Sequence, residues 1–303
     1  MKIPLNHADT GLLKPVPPHA LVLLAVLAIQ LGAGISIQLF EKIGAEATVA
    51  LRVIFSALIL SLVARKNLSE LRVKFVQHWQ LLLIFGLCVS AMNYCFYKAI
   101  DRIPLGAAVA IEFAGPLSVA AFTSKKFTQL GWVILAAIGI VLLSPFTGTS
   151  LDTTGVVFAL LSGIGWALFI VLAKRVSAKV EQNIGLAIGM GIAAITMIPF
   201  LLPQLDQIVL FPKVLLLGFC VALFSTAIPF TFEFVALKRL SSTAYGVLVS
   251  TEPVVATLIG AVLLDQRIGV QGLIAIACVV TAAIGITVST PPATSSANPP
   301  ESK

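Results

Sequence analysis

The sequence predicts an all-helical membrane protein, and three observations support that fold class: the composition, a succession of apolar segments and an internal repeat. Of the 303 residues, 58% are hydrophobic and 11% are charged, whereas about 25% of the residues in a soluble domain carry a charge. So few charged side chains cannot cover the surface of a soluble protein of this length. The composition therefore excludes a soluble globular protein, a disordered chain and a nucleic-acid-binding module, and it makes the lipid bilayer the expected surroundings.

There are ten apolar segments, and each has about the length, ~20 residues, that a helix needs to cross the hydrocarbon core. They lie at 19–40, 44–64, 79–98, 104–123, 128–146, 154–173, 183–203, 213–236, 243–264 and 268–288. Residues 1–18 form a polar, proline-rich tail that lacks the apolar core of a signal peptide. Residues 289–303 form a second polar tail, which we expect to be disordered.

The positive charges predict how the segments are oriented. If the N-terminal tail is cytoplasmic, 14 of the 20 Lys and Arg residues fall in cytoplasmic segments, five fall on the other face, and Arg52 lies within the membrane. Because cytoplasmic loops of membrane proteins carry an excess of Lys and Arg, this bias favours ten crossings with both tails in the cytoplasm.

The internal repeat divides the ten segments into two halves. Four residues recur at a fixed offset of 137: Ala99, Arg102, Ala107 and Pro116 match Ala236, Arg239, Ala244 and Pro253. The run AAIGI at 136–140 recurs at 282–286. We therefore expect five-helix repeats at 19–146 and 154–288. Since five is odd, the second repeat enters the membrane from the opposite face, as in the inverted repeats of many secondary transporters, whose site lies near the midplane.

Ionisable residues inside the apolar segments are candidates for that site. Arg52, Glu112 and Glu252 lie near the middle of their segments, where a charged side chain costs about 2.5–3.5 kcal/mol on insertion scales and usually faces a cavity or a partner. We expect them to line a central cavity; pairing of Arg52 with Glu112 is the alternative. Glu233 lies near the end of its segment, where an ion pair at the membrane surface explains it equally well.

Three prolines predict kinks in the helices that carry these acids. Pro116, Pro229 and Pro253 each deprive the carbonyl four residues earlier of its helical donor. Glu112 precedes Pro116 and Glu252 adjoins Pro253, so corresponding helices of the two halves both place an acid beside a kink. This is the strongest pointer to a binding site in the sequence, although the kinks could also serve packing alone.

Polar and aromatic residues in two other segments complete the candidate site. Asn93 and Tyr97 are four residues apart and so share a helix face that could bind a polar substrate; Asn93 could instead bond to a neighbouring helix. Trp166 could wall the cavity or lie among lipids. The sequence contains no metal-ligand, nucleophile or nucleotide-binding motif. We therefore predict no enzyme activity and neither cofactor nor metal, and uphill transport would depend on an ion gradient.

Two stretches carry a family resemblance: AMNYCFYKAIDRIPLGAAVAIEFAGPL at 91–117 and STAIPFTFEFVALKRLSSTAYGVLVSTEPV at 225–254. They resemble the ten-span EamA-type branch of the drug/metabolite transporter superfamily, over about residues 20–288. The motifs at 93–97, 104–106, 112–117 and 252–253 are similar to those of its bacterial inner-membrane threonine and homoserine exporters. The sequence departs from that subgroup at Thr251, where the subgroup has methionine.

The resemblance implies a basket of ten helices around a central cavity, and export of small amino acids or related metabolites from the bacterial cytoplasm, driven by protons. A zwitterion needs a cationic partner for its carboxylate and an acidic or aromatic partner for its ammonium group. On this interpretation Arg52, Asn93 and Tyr97 hold the carboxylate. Glu112 and Glu252 hold the ammonium group or exchange a proton, because burial disfavours the charged form of a carboxyl group.

Other functions fit the same sequence. The runner-up keeps the fold and exports lipophilic cations, other amino acids or nucleoside-type metabolites. A non-transporting membrane scaffold or sensor is a third hypothesis, which predicts that the intramembrane acids are dispensable. The oligomeric state is left open.

Overall fold

The computed structural model describes residues 16–64, 68–124, 128–143, 151–229 and 242–289, together with three single residues between 231 and 241. Throughout these residues the regular secondary structure is helical and includes no β-strand. Most of each predicted tail, namely residues 1–15 and 290–303, lies outside the described residues, as does Glu233.

Helix α1, Pro18–Ala64, contains two of the predicted apolar segments. Its 47 residues are interrupted at Gly44, where φ is 75° and ψ is 163°. A positive φ is readily adopted by glycine, whereas a Cβ makes it unfavourable. Gly44 therefore allows the chain to change direction between two apolar runs that otherwise form one unbroken helical pattern.

Helix α2, Leu68–Ile100, also combines two unlike parts. Its backbone departs from helical geometry at His78, where φ is −130° and ψ is 27°. The part before His78 carries Arg72 and Lys74, whereas the part after it is the apolar run that includes Asn93 and Tyr97. His78 thus separates a polar entry from the segment that leads to the candidate site.

The next three helices are α3 (Leu105–Glu112), α4 (Ala114–Ser124) and α5 (Thr128–Leu143). All eight residues of α3 are buried. A helix that is apolar on every side belongs in the interior of a structure rather than at its surface. Glu112 is the last residue of this buried helix, and only Phe113 separates it from α4.

The remaining described helices begin with α6, whose first turn is capped by the Asp152 side chain accepting a hydrogen bond from the Thr154 amide at 3.1 Å. Asp at this position satisfies an amide that has no partner inside the helix. The helices are α6 (Thr153–Ser177), α7 (Gln182–Leu201), α8 (Leu205–Leu210), α9 (Pro212–Ala222), α10 (Ser242–Val249), α11 (Glu252–Leu263) and α12 (Val270–Ser289). A 3₁₀ turn at Leu202–Gln204 joins α7 to α8, and a π-helical turn at Leu223–Ala227 follows α9.

The surface and the helix lengths define an all-α membrane protein, as the composition predicts. Five described stretches are long and apolar enough to cross a bilayer, and four apolar stretches are shorter. Large apolar side chains such as Leu62, Ile195, Val209 and Val262 are more than half exposed. In lipid such faces are well solvated, whereas in water they would be an aggregation hazard.

Helices from the two ends of the chain pack side by side. Helix α3 packs against α11, and α5 packs against α12. Helix α1 packs against α7 and α9, while α2 packs against α6 and α7. The largest cluster of buried residues includes Tyr97 and most of α3. The polar residues of interest therefore lie where both halves of the chain meet.

Candidate functional site

The strongest polar cluster joins α1 to α2 through Arg52. Its Nη1 donates a hydrogen bond to Oδ1 of Asn93 at 2.6 Å, and its Cζ lies 5.5 Å from the centroid of the Tyr97 ring. Asn93 is held in turn by donating its Nδ2 hydrogen to the Val89 carbonyl at 2.7 Å. The predicted shared face of Asn93 and Tyr97 therefore receives one guanidinium group, through a hydrogen bond and a cation–π contact.

Two buried polar atoms of this cluster have no hydrogen-bond partner among the described residues: Arg52 Nε and Tyr97 Oη. Tyr97 is only 1% exposed. Leaving such groups unsatisfied is costly, so most buried polar atoms in native proteins find a partner. Because Asn93 occupies Nη1, the free Nε belongs to the other edge of the guanidinium group, which can bind a carboxylate with two parallel hydrogen bonds.

Arg52 does not form the ion pair with Glu112 that the sequence left open. Within the part of the chain that the structure describes, its side-chain hydrogen bond goes to the neutral amide of Asn93. The Arg52 charge is nevertheless near enough to interact electrostatically with the Glu112 carboxyl group. Arg52 thus keeps a net positive charge inside the helical bundle, which suits an anionic group of a ligand.

Glu112 is held at the junction of three helices. It is buried, and its Oε1 accepts a hydrogen bond from Ser162 Oγ of α6 at 2.5 Å. The same Ser162 Oγ lies 3.1 Å from the Met92 carbonyl of α2. Gly163 packs so closely on Glu112 that an added Cβ would lie 2.8 Å from the Glu112 carbonyl oxygen. Helices in lipid associate through such close backbone contacts at small residues.

The three prolines lie at or near irregular backbone. Pro116 is the third residue of α4, and the freed carbonyl of Glu112 faces Gly163. Pro253 is the second residue of α11, a position that needs no helical amide hydrogen bond. Pro229 follows the π-helical turn at Leu223–Ala227, and such turns often occur at functional sites.

Glu252 and Trp166 lie on other helices than the Arg52 cluster. Glu252 is buried in the first turn of α11. The Trp166 ring packs edge-on against Phe113, with centroids 5.5 Å apart. The structure therefore brings Arg52, Asn93 and Tyr97 into direct contact. Trp166 packs beside the break that follows Glu112, and Glu252 lies on the helix that packs along α3.

Several polar residues of the bundle were not singled out by sequence reasoning. Glu46 accepts hydrogen bonds from Tyr94 Oη at 3.2 Å and from Lys98 Nζ at 3.1 Å. Gln30 is 2% exposed, and its Oε1 has no hydrogen-bond partner among the described residues. Gln30 could have been found from the sequence, because it is a polar residue at the centre of an apolar segment. Nothing in the sequence links Ser162 to Glu112.

A groove of about 680 Å³ lies between α4 and α6, and its lining is almost entirely apolar. Exposed Ile164 and Leu168 form one wall, while Gly115 and Gly163 form part of its floor. The groove touches the backbone of the Glu112 region but not the Arg52 cluster, so we assign it no role in recognising a polar substrate. No cluster suited to a metal ion occurs among the residues searched, which are those that the structure describes.

Buried polar groups inside a bundle of apolar helices define a multi-pass membrane protein with an internal polar site. Residues 153–288 match the EamA-like transporter family. The threonine/homoserine exporter RhtA of Escherichia coli (strain K12) is 35% identical over 285 residues, covering 92% of this chain and 95% of that protein. RhtA of Salmonella typhimurium (strain SL1344) is 36% identical over 276 residues, covering 90% and 92% respectively. The chain belongs to the EamA-like transporter family.

A solved crystal structure is also similar, with a TM-score of 0.57 at 15% sequence identity. The match covers 89% of this chain and 96% of that one. At this level of identity the likeness concerns the fold alone, and it extends over nearly the whole of both chains.

Proposed function

We propose that the protein is a bacterial inner-membrane exporter of threonine, homoserine or similar small amino acids, coupled to protons and working by alternating access. It consists of ten membrane-spanning helices, arranged as inverted five-helix repeats at 19–146 and 154–288, with both tails in the cytoplasm. The identity to the threonine/homoserine exporters supports the substrate class. The Arg52 cluster supplies the chemistry that this substrate requires.

The observation that carries the proposal is the unsatisfied Nε of the Arg52 guanidinium group. Its Nε is buried without an acceptor, and the nearby Tyr97 Oη is also unpartnered among the described residues. An amino-acid carboxylate supplies two oxygens, which satisfy both donors of the guanidinium edge or one of them together with the tyrosine hydroxyl. Substrate binding thus removes a desolvation cost that the empty protein bears.

Contacts between segment ends support the ten-span arrangement. The Arg102 Nη1 atom lies 3.1 Å from Asp152 Oδ2, and the Leu105 amide donates to Gln266 Oε1 at 2.9 Å. The predicted orientation places all four of these residues at the non-cytoplasmic face. The family match begins at residue 153, close to the start of the second proposed repeat. The packing of α3 on α11 and of α5 on α12 pairs corresponding helices of the two repeats.

The two buried acids supply the remaining functions of a proton-coupled exporter. Glu112 and Glu252 bind the substrate ammonium group or exchange a proton, and both lie beside an interruption between helices. Backbone interruptions of this kind flank the central site in many secondary transporters. Lipids surround the bundle.

Counterflow tests the proposed function. Proteoliposomes preloaded with unlabelled homoserine are diluted into radiolabelled threonine without any ion gradient, and we expect transient accumulation of label. Liposomes that contain Arg52→Ala protein, matched for folded protein by size-exclusion chromatography, should accumulate little or none.

Two results would contradict the proposal. Absence of counterflow by folded wild-type protein would remove amino acids as the substrate class. Counterflow by Arg52→Ala at the wild-type rate would remove the carboxylate site and would favour an exporter of cations.

A further inference from the structure

Ser162 occupies the point where α6 touches both α2 and α3. Its side chain is completely buried, and its Oγ lies 2.5 Å from Glu112 Oε1 and 3.1 Å from the Met92 carbonyl oxygen. Two glycines that follow Ser162 bring α6 close to its neighbours: Gly163 packs on the Glu112 backbone, and Gly165 packs on Met92. The hydroxyl group therefore lies in a tightly packed junction without room for a rearranged side chain.

Which hydrogen bonds form in this junction depends on whether Glu112 carries a proton. A serine hydroxyl has a single hydrogen to donate, whereas the Met92 carbonyl can only accept. When Glu112 is charged, its carboxylate also only accepts, so the two acceptors compete for the Ser162 hydrogen. When Glu112 is protonated, the carboxyl group donates to Ser162 Oγ, and Ser162 can then donate to Met92.

We propose that Ser162 is the positioning residue that transmits the protonation state of Glu112 to the contact between α2 and α6. With Glu112 charged, the Ser162 hydroxyl is held by the carboxylate, and the Met92 carbonyl loses the hydrogen bond from Ser162 while keeping its helical backbone bond. With Glu112 protonated, a chain of hydrogen bonds runs from Glu112 through Ser162 to Met92. The inference rests on the proposed proton coupling, and it states which contact changes when Glu112 gains or loses its proton, namely the contact between α2 and α6.

The position of Met92 explains why a change in the α2–α6 contact would affect the substrate site. Met92 immediately precedes Asn93, which binds the Arg52 guanidinium group. A change in the α2–α6 contact at the Met92 carbonyl therefore acts one residue away from the proposed carboxylate site. Protonation of Glu112 and occupancy of the Arg52 site are thus connected through a short, continuous path.

Other ionisable groups lie on the helices around Glu112. Arg52 on α1 and Cys95 on α2 interact with it electrostatically. Helix α11, which packs along α3, carries Glu252 in its first turn. Helix α12 carries Cys278, and the described part of α5 carries no ionisable side chain.

Helix α6, which bears Ser162, has its charged residues, Lys174 and Arg175, in its last turn. Among these helices Ser162 alone donates a hydrogen bond to the Glu112 carboxyl group in the described residues.

The test compares Ser162→Ala with Ser90→Ala. Ser90 is a matched control because it is also a buried serine whose Oγ joins two helices, at 2.7 Å from Thr196 Oγ1, without contacting a carboxyl group. The first readout is the infrared difference spectrum of the reconstituted protein between high and low pH. The carboxyl band of Glu112 is identified by its absence in Glu112→Gln, and no transport is needed to observe it.

We expect Ser162→Ala to shift the frequency of the Glu112 carboxyl band, and Ser90→Ala to leave it in place. The pH midpoint of the band should move upward by about one unit in Ser162→Ala, because hydrogen bonds to a charged carboxylate are stronger than those to its neutral form. The pH midpoint of gradient-driven threonine transport should move in the same direction.

An unchanged band and midpoint in Ser162→Ala would overturn the inference, even if the wild-type protein transports threonine normally. If Ser90→Ala shifts both quantities equally, the effect is general packing and the inference is again overturned. A band shift confined to Ser162→Ala in a protein that fails threonine counterflow would support the Ser162–Glu112 link and refute only the proposed substrate.

Discussion

The two halves of the chain each place an acid beside a proline, yet the acids lie at opposite ends of their helices. Glu112 is the last residue of α3, whereas Glu252 is the first residue of α11. The N-terminal end of a helix carries partial positive charge and the C-terminal end partial negative charge. The two acids therefore lie at helix ends of opposite partial charge.

This difference divides the roles that the sequence assigned jointly to both acids. A carboxyl group at the negative end of a buried helix is suited to gaining and losing a proton. A carboxylate at the positive end of a helix is suited to remaining charged and binding an ammonium group. As a refinement of the proposed function, we propose that Glu112 carries the proton and that Glu252 binds the substrate ammonium group.

Glu112→Gln should have the largest effect. Glutamine keeps the shape of the side chain but carries no exchangeable carboxyl proton, so proton-driven threonine transport should fall to the level of empty liposomes. Threonine–homoserine exchange, which needs no proton movement, should continue. Proton-driven transport by Glu112→Gln at the wild-type rate would refute its assignment as the proton carrier.

Glu252→Gln should weaken substrate binding instead. Loss of a charged hydrogen-bond partner costs about 1.5–3 kcal/mol, which corresponds to an increase in KM for counterflow of roughly 10- to 150-fold. The pH dependence of transport should stay close to that of the wild type. A strongly altered pH profile with an unchanged KM would reverse the assignments of the two acids.

Gly163→Ala tests the packing around Glu112. The added Cβ would press on the Glu112 carbonyl oxygen, and overpacking of this kind destabilises a core by about 1–3 kcal/mol. Gly191→Ala on α7 is the control, since nothing lies within 4 Å of its added Cβ and alanine favours the helix. Thermal unfolding in detergent should show a lower Tm only for Gly163→Ala; equal Tm values would show that the junction is loosely packed.

Arg102→Gln should have the smallest effect, because it removes an exposed ion pair outside the apolar segments. The hydrogen bonds from Arg102 and from the Thr154 amide lower the pKa of Asp152. The charged Asp152 therefore stabilises the folded protein at neutral pH, and this contribution is lost as the pH falls through the lowered pKa. The Tm should change by no more than about 2 °C at pH 7. The difference from wild type should disappear in acid; a difference that grows in acid would contradict this.

Hydropathy and composition predicted the helices, because a chain in lipid must satisfy its backbone hydrogen bonds within each segment. Helical spacing predicted the shared face of Asn93 and Tyr97, and the cost of an isolated charge singled out Arg52. The sequence did not reveal that Arg52 binds the Asn93 amide rather than Glu112, since both partners lie far from it along the chain. The Ser162–Glu112 bond was likewise inaccessible, because a serine in an apolar helix commonly bonds to its own backbone.

The most direct test of the proposed carboxylate site is competition in the counterflow assay. Unlabelled threonine and threoninol, in which a hydroxymethyl group replaces the carboxylate, are compared as inhibitors of radiolabelled threonine entry. If the Arg52 edge binds the carboxylate, threoninol should inhibit at least about 30-fold more weakly, because the buried guanidinium group would lack its charged partner. Equal inhibition by the two compounds would show that the carboxylate is not recognised and would contradict the assignment of Arg52, Asn93 and Tyr97.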